Sequence, residues 1–159
     1  MKICFVCQGN IIRSPLAENL FRQLAQERGL GERYDLDSAG TSAYHVGEPP
    51  DRRMRQVAEE QGFRYSGRAR QFRPEELDEF DLVLAMDRSN FRILQGWAKD
   101  QEQLDKIRLM REFDPQAGSD LDVPDPYYGG KEGFYVTYEI VNRSSEGLME
   151  ALEGGEDSR

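Results

Sequence analysis

Cysteine and histidine are scarce in this 159-residue chain, which holds two Cys (Cys4 and Cys7) and a single His (His45). A zinc site assembled from Cys and His needs roughly three or four such ligands, so no metal is expected. Long apolar runs are missing too. No stretch approaches the roughly 20 residues that cross a bilayer. The short apolar start, followed by charged sequence, does not read as a secretory leader. The expectation is a cytoplasmic protein without membrane insertion. Positive charge is in deficit: 21 Lys and Arg against 30 Asp and Glu leave a formal net charge of -9. A nucleic-acid binder should carry a basic face, so no nucleic-acid partner is expected. The same field repels polyanions at long range. A phosphate bound here must therefore be held by local donors.

What the chain does contain is the run Cys7-Gln8-Gly9-Asn10-Ile11-Ile12-Arg13-Ser14-Pro15, directly after the apolar stretch Ile3 to Val6. A Cys and an Arg six positions apart can wrap one short loop around a tetrahedral phosphate. Cys7 would supply the thiolate nucleophile, and Arg13 would close the loop with a planar donor fork. The N–H groups of Gln8, Gly9, Asn10, Ile11 and Ile12 would point inward as an anion nest. Ser14 then Pro15 reads as N-cap and first helical residue, which sets the positive end of a helix against the phosphate. With 17 Arg in the chain, the bare spacing arises by chance roughly one time in five. The flanking strand and helix, and the turn formers Gly9 and Asn10, give it weight.

Apolar periodicity outlines the rest. Strands are expected at Lys2 to Val6, Tyr34 to Ser38, Asp81 to Met86 and Lys106 to Met110. Helices are expected at Pro15 to Arg28, after a cap at Asp51 through Gln61, from Arg88 to Gln95 and from Glu132 to Leu152. Four short strands alternating with helices predict an α/β fold: a four-stranded parallel sheet, helices on both faces, and the phosphate loop after the first strand. Residues 1–153 read as a single domain and 154–159 as a frayed tail. Cys4 and Cys7 form a Cys-x-x-Cys, but about 3.3 Å per residue along a strand holds them about 10 Å apart, beyond disulfide reach.

Phosphoryl transfer through a cysteine needs an acid for the leaving oxygen and later a base for water. Val123-Pro124-Asp125-Pro126-Tyr127-Tyr128 follows the fourth strand, on the sheet edge where the loop lies. Pro124 and Pro126 restrict the backbone around Asp125. Tyr127 and Tyr128 can wall a pocket for a ring. Asp114, also before a Pro, is the weaker candidate because it lacks aromatic neighbours.

With these segments together, the chain resembles the low-molecular-weight protein tyrosine phosphatases over essentially its whole length. The matching runs are Val6 to Asn10 with Arg13 to Glu18, Ser38-Ala39-Gly40-Thr41, Ala69-Arg70-Gln71, Phe80-Asp81 through Asp87 with Asn90, and Asp125 to Tyr128. The Ser-Ala-Gly-Thr run is similar to the bacterial branch. The resemblance implies a protein-tyrosine-phosphatase without cofactor that acts on tyrosine-phosphorylated proteins as a monomer or weak dimer. It implies Cys7 as nucleophile, Arg13 as phosphate binder and Asp125 as general acid and base. Ser14 would donate to the Cys7 thiolate, Asn10 would hold the loop, and Tyr44 would stand at the pocket rim. His45 is expected to be a loop residue without catalytic role. Two positions depart from the family pattern. Ile12 replaces a frequent second Cys, and Gly67 replaces a frequent His bonded to the loop Asn, with Arg68 as a conceivable substitute. Two other readings stay open: an arsenate reductase of the same fold, which would need further cysteines, and a non-catalytic phosphotyrosine-binding module.

Overall fold

Alternate residues of the first strand enter two different cores. In the computed structural model, which describes residues 1–157, β1 (Lys2–Cys7) sends Ile3, Phe5 and Cys7 to one side of the sheet and Cys4 and Val6 to the other. This is the period of two that a strand imposes. Both sides are covered, so the strand is apolar almost throughout rather than alternating.

The elements follow as α1 (Arg13–Glu27), β2 (Asp35–Gly40), α2 (Arg52–Glu60), β3 (Leu82–Ala85), α3 (Arg88–Trp97), α4 (Gln101–Lys106), β4 (Ile107–Leu109) and α5 (Lys131–Asp157). Single 3-10 turns lie at Gly31–Arg33, Pro74–Asp78 and Met110–Phe113. The sheet order is β2-β1-β3-β4 and every pairing is parallel, as the alternation of strands and helices predicts. Leu16, Phe21, Met54, Val57, Phe134, Val141 and Leu148 from α1, α2 and α5 fill one core against Phe5 and Leu84. Phe72, Leu77 and Leu94 fill the other against Val6, Val83 and Ala85.

Local chemistry sets the ends. α1 and α2 both stop in a left-handed glycine, Gly29 (φ 71°) and Gly62 (φ 81°). In each the next amide reaches back to the helix, Leu30 to Ala25 and Phe63 to Ala58. This pairing satisfies the last carbonyls. Asp51 caps α2 by accepting from the Arg53 amide, and Asp87 caps α3 by accepting from the Asn90 amide.

Several bounds differ from expectation by a residue or two, and one helix, α4, was not expected. β2 continues past Ser38 to Gly40, because its register against β1 runs on to the pair Cys7 and Gly40. α4 carries no readable amphipathic pattern: it has six residues, and Gln103 is its buried one. α5 runs beyond Leu152 to Asp157. Of the tail expected to fray from residue 154, residues 158 and 159 lie outside the described residues.

Candidate active site

β1 ends at Cys7, and the chain turns at its carboxyl edge into the loop that enters α1. Within it Asn10 is the one non-glycine with positive φ (57°) among the described residues. That conformation aims the Asn10 amide at the sulfur, 3.3 Å from Cys7 Sγ. Ser14 Oγ lies 3.0 Å from the same sulfur. Ser14 is not the helix cap that the Ser-Pro pair predicts. The helix starts at Arg13, the N-cap is Ile12, and no side chain caps it. The hydroxyl faces the thiol instead, and the first-turn amides stay free of side-chain partners. A helix start of this kind suits an anion.

Arg13 is 3% exposed. Its NH1 donates to Asp87 Oδ2 at 2.7 Å and to the Val123 carbonyl at 3.0 Å, and NH2 lies 3.6 Å from Asp125 Oδ2. Burial pulls the guanidinium pKa down, but the charge on Cys7 and the carboxylates of Asp87 and Asp125 outweigh it and hold the pKa above its ordinary value. Asp87 does two jobs with one carboxylate, capping α3 with one oxygen and holding Arg13 with the other.

Behind the loop, Asn10 Nδ2 donates to Ser14 Oγ at 2.8 Å and to Ser38 Oγ at 3.1 Å, while its Oδ1 accepts from the Arg70 amide at 3.0 Å. Ser38 in turn donates to Glu18 Oε1 at 2.7 Å. These bonds do the holding that Gly67 cannot do. Arg68 is not the substitute: its guanidinium donates to the Gly47 carbonyl. A cavity of about 140 Å³ borders Asn10, Ser38 and Gly67.

In front of the loop lies a larger cavity of about 590 Å³. Cys7, Gln8, Gly9, Ile11, Ile12 and Arg13 form its floor; Asp125, Tyr127 and Tyr128 form one wall, and Ser42, Tyr44 and His45 the other. Asp125 Oδ1 accepts from the Tyr127 amide at 3.1 Å, a turn that steadies the carboxylate. Tyr127 and Tyr128 meet edge to face, with centroids 4.9 Å apart. Tyr128 and Tyr44 stand largely in solvent.

Asp114, the other candidate acid, is not in this cavity. It is buried and bonded by Arg143, Arg111 and the Gln116 amide, so it ties α5 to the turn after β4. Among the described residues no cluster of His, Cys, Asp and Glu could hold a metal ion. The sequence did not reveal Asp87, Ser38 and Glu18 as parts of the site. The segments Phe80 to Asp87 and Ser38 to Thr41 stood out, but their contacts depend on strand order.

Comparison with known proteins bears on this geometry. Residues 2–157 match the family described as low molecular weight phosphotyrosine protein phosphatase. A low molecular weight protein-tyrosine-phosphatase of Streptomyces coelicolor is 45% identical over 152 residues, covering 95% of this chain and 93% of its own. The crystal structure of a protein tyrosine phosphatase from Entamoeba histolytica with Hepes in the active site is 38% identical. It superposes with a TM-score of 0.92 over 98% of this chain and 99% of that one. A Drosophila arginine phosphatase superposes with a TM-score of 0.88 at 30% identity, over 96% and 98%.

Proposed function

The chain belongs to the low molecular weight phosphotyrosine protein phosphatases, and we propose that it hydrolyses protein phosphotyrosine through a cysteinyl-phosphate intermediate. Cys7 Sγ attacks phosphorus, the P–O bond to the tyrosine breaks, and Asp125 gives its proton to the departing phenolate oxygen. Water then attacks the phosphocysteine. Asp125 takes the water proton, the S–P bond breaks, and phosphate leaves with Cys7 again a thiolate. Ser14 donates to the sulfur and eases that departure. Arg13 and the amides of Gln8, Gly9, Ile11 and Ile12 hold the equatorial oxygens, where charge spreads during transfer, while the Asn10 amide serves the sulfur. No metal or organic cofactor takes part.

The observation that carries this proposal is the position of the Arg13 guanidinium, which is buried at the loop beside Cys7 and reaches 3.6 Å from Asp125. Nucleophile, phosphate donor and acid then converge in one cavity. Tyr44, Tyr127 and Tyr128 favour a ring-bearing substrate, because a short seryl side chain would not bring its phosphate down to Cys7. We also assign residues 1–153 to one phosphatase domain, acting in the cytoplasm as a monomer or weak dimer. An arsenate reductase is disfavoured, since both cysteines are free and enter opposite cores. A silent binding module would need neither Asp125 nor Ser14.

The test is hydrolysis of a phosphotyrosyl peptide beside a phosphoarginyl peptide and beside arsenate-dependent thiol oxidation. The expected result is turnover of the phosphotyrosyl peptide, insensitive to EDTA. Cys7→Ser should abolish that turnover yet still bind phosphate and trap tyrosine-phosphorylated proteins. Turnover near wild type in Cys7→Ser would remove Cys7 as nucleophile. Preference for phosphoarginine would move the substrate class to that of the Drosophila neighbour.

A further inference from the structure

We propose that Arg53 is a positioning residue for the general acid: anchored at the start of α2 beside the phosphate loop, its guanidinium holds the acid loop, through Tyr127, where Asp125 can reach the leaving oxygen. This rests on the phosphatase chemistry proposed above and adds a residue to it.

The anchor is the first observation. Asp51 caps α2, and its backbone amide donates to the Ile11 carbonyl of the phosphate loop at 2.7 Å. Its carboxylate accepts from the Arg53 amide at 2.8 Å, from Arg53 Nε at 3.3 Å and from Arg53 NH2 at 3.1 Å. Nε and NH2 engage different oxygens, a two-pronged grip that a guanidinium makes and an ammonium does not.

The second observation is what else the guanidinium meets. Arg53 Cζ lies 4.7 Å from the centroid of the Phe134 ring and 5.5 Å from that of Tyr127. Both distances fall within cation–π range. Phe134 is fully buried at the start of α5, just after the acid loop, and Tyr127 stands two residues after Asp125. A surface Arg paired with its own helix cap contributes little, and the first turn of a helix disfavours positive charge. Neither the cap nor the helix accounts for a guanidinium here; the two rings do.

The third observation is the path from Tyr127 to the acid. The Tyr127 amide donates to Asp125 Oδ1, so the turn that orients the carboxylate includes the residue whose ring Arg53 holds. Before the acid, the loop is pinned by the Val123 amide on the Met86 carbonyl at 2.8 Å and by Thr137 Oγ1 on the Pro124 carbonyl at 3.2 Å. Arg53 pins it after the acid. Proton transfer to the leaving oxygen depends steeply on where the carboxyl stands. Arg53 touches no reacting atom. Without it Cys7, Arg13 and the loop amides stay in place, so phosphate still binds, and the loss grows with the leaving group's need for a proton.

The experiment compares kcat/KM for phenyl phosphate, a poor leaving group, and p-nitrophenyl phosphate, a good one, with inhibition by inorganic phosphate measured alongside. Both substrates carry a ring, so a change in ring binding alone would affect them alike. Arg53→Ala should lower kcat/KM by about 3- to 10-fold for phenyl phosphate and by less than about 2-fold for p-nitrophenyl phosphate. Inhibition by phosphate should stay within about 2-fold of wild type. In an Asp125→Asn background, Arg53→Ala should cost nothing further, because it acts through that carboxylate. Arg53→Lys keeps the charge without the fork and should recover part of the loss; Arg53→Met keeps only the apolar stem and should recover none. Wild-type kinetics in Arg53→Ala would overturn the assignment. So would an equal loss on both substrates, the same loss in the Asp125→Asn background, weakened phosphate inhibition, or full recovery by Met. If Asp125→Asn itself hydrolyses phenyl phosphate at the wild-type rate, the acid proposed above fails and the role of Arg53 with it. A loss in Asp125→Asn without one in Arg53→Ala overturns the Arg53 assignment alone.

Discussion

Replacing Asp87 by Asn removes one charge and one acceptor while keeping the size of the side chain. In the native chain Oδ1 caps α3 through the Asn90 amide at 2.8 Å, and Oδ2 accepts from Arg13 NH1 at 2.7 Å. Asn caps a helix as well as Asp does, so its oxygen can keep the first bond. Its NH2 group then faces the guanidinium, donor against donor, and Arg13 must turn. A hydrogen bond to a charged group is worth about 1.5–3 kcal/mol. Arg13 is 3% exposed and Asp87 21%, so partial screening argues for the middle of that range, about 2 kcal/mol. The orientation of Arg13 matters most where charge spreads over the equatorial oxygens, so the loss falls on kcat/KM, by about 30-fold.

The assay is steady-state hydrolysis of an aryl phosphate by wild type, Asp87→Asn and Asp87→Ala, with thermal unfolding in parallel. Asp87→Ala loses the cap as well and should be about 1 kcal/mol less stable than Asp87→Asn, with a similar fall in kcat/KM. Wild-type kcat/KM in Asp87→Asn would refute the argument and reduce Asp87 to a helix cap. Added phosphate should raise the unfolding temperature of each variant less than that of wild type, because it binds their folded state more weakly.

Asp125→Asn should lower kcat by about 10²–10⁴ for a substrate with a poor leaving group and by less for p-nitrophenyl phosphate; equal loss on both would give Asp125 a structural role. Gly40→Ala should distort the phosphate loop, since its Cβ would sit 2.6 Å from the Gln8 carbonyl oxygen; the check is a loss of phosphate affinity with the fold retained by circular dichroism. Asp114→Asn should destabilise the fold by about 3 kcal/mol at neutral pH, measured by urea unfolding. Burial raises the Asp114 pKa, but bonds from Arg143, the Gln116 amide and Arg111 outweigh it and hold the carboxyl below its ordinary value. A depressed pKa contributes stability above the unfolded value of about 3.9, lost as pH falls through the folded one. The two unfolding curves should therefore converge below roughly pH 4.

That the Cys7 loop and Asp125 meet at one cavity was legible because each is a contiguous run whose neighbours restrict it: Cys7 to Arg13 between a strand and a helix, and Asp125 between two prolines. Asp87 was not legible as an Arg13 partner, because its place follows from β3 lying beside β1, a fact of strand order rather than spacing. Ser14 shows the opposite failure. Helix grammar assigns Ser before Pro to the cap, yet the hydroxyl turns to the thiol and the start of α1 goes without a side-chain cap. A tertiary contact to Cys7 overrides the local rule. α4 escaped because a six-residue polar helix has too few turns to show a stripe.

The two cysteines carry the last prediction. A cysteine reachable from a cavity is a target for peroxide, which adds oxygen to give sulfenic and then sulfinic acid unless a second thiol intervenes. Cys7 lines the cavity. Cys4 lies three residues back along the same strand, and three is odd, so the two side chains enter opposite cores. A disulfide between them would require β1 to unpair from both β2 and β3. Ile12 shares a core with Cys7 but offers no thiol. Peroxide-treated enzyme should therefore gain two oxygens on Cys7 and recover only part of its activity with dithiothreitol. Ile12→Cys should recover more, by trapping the sulfenic acid as a disulfide. Intact mass after limited peroxide, with peptide mapping, reads the difference. Loss of two hydrogens in wild type, mapped to a Cys4–Cys7 bond and fully reversed by dithiothreitol, would show that β1 opens far more readily than its pairing on both edges implies.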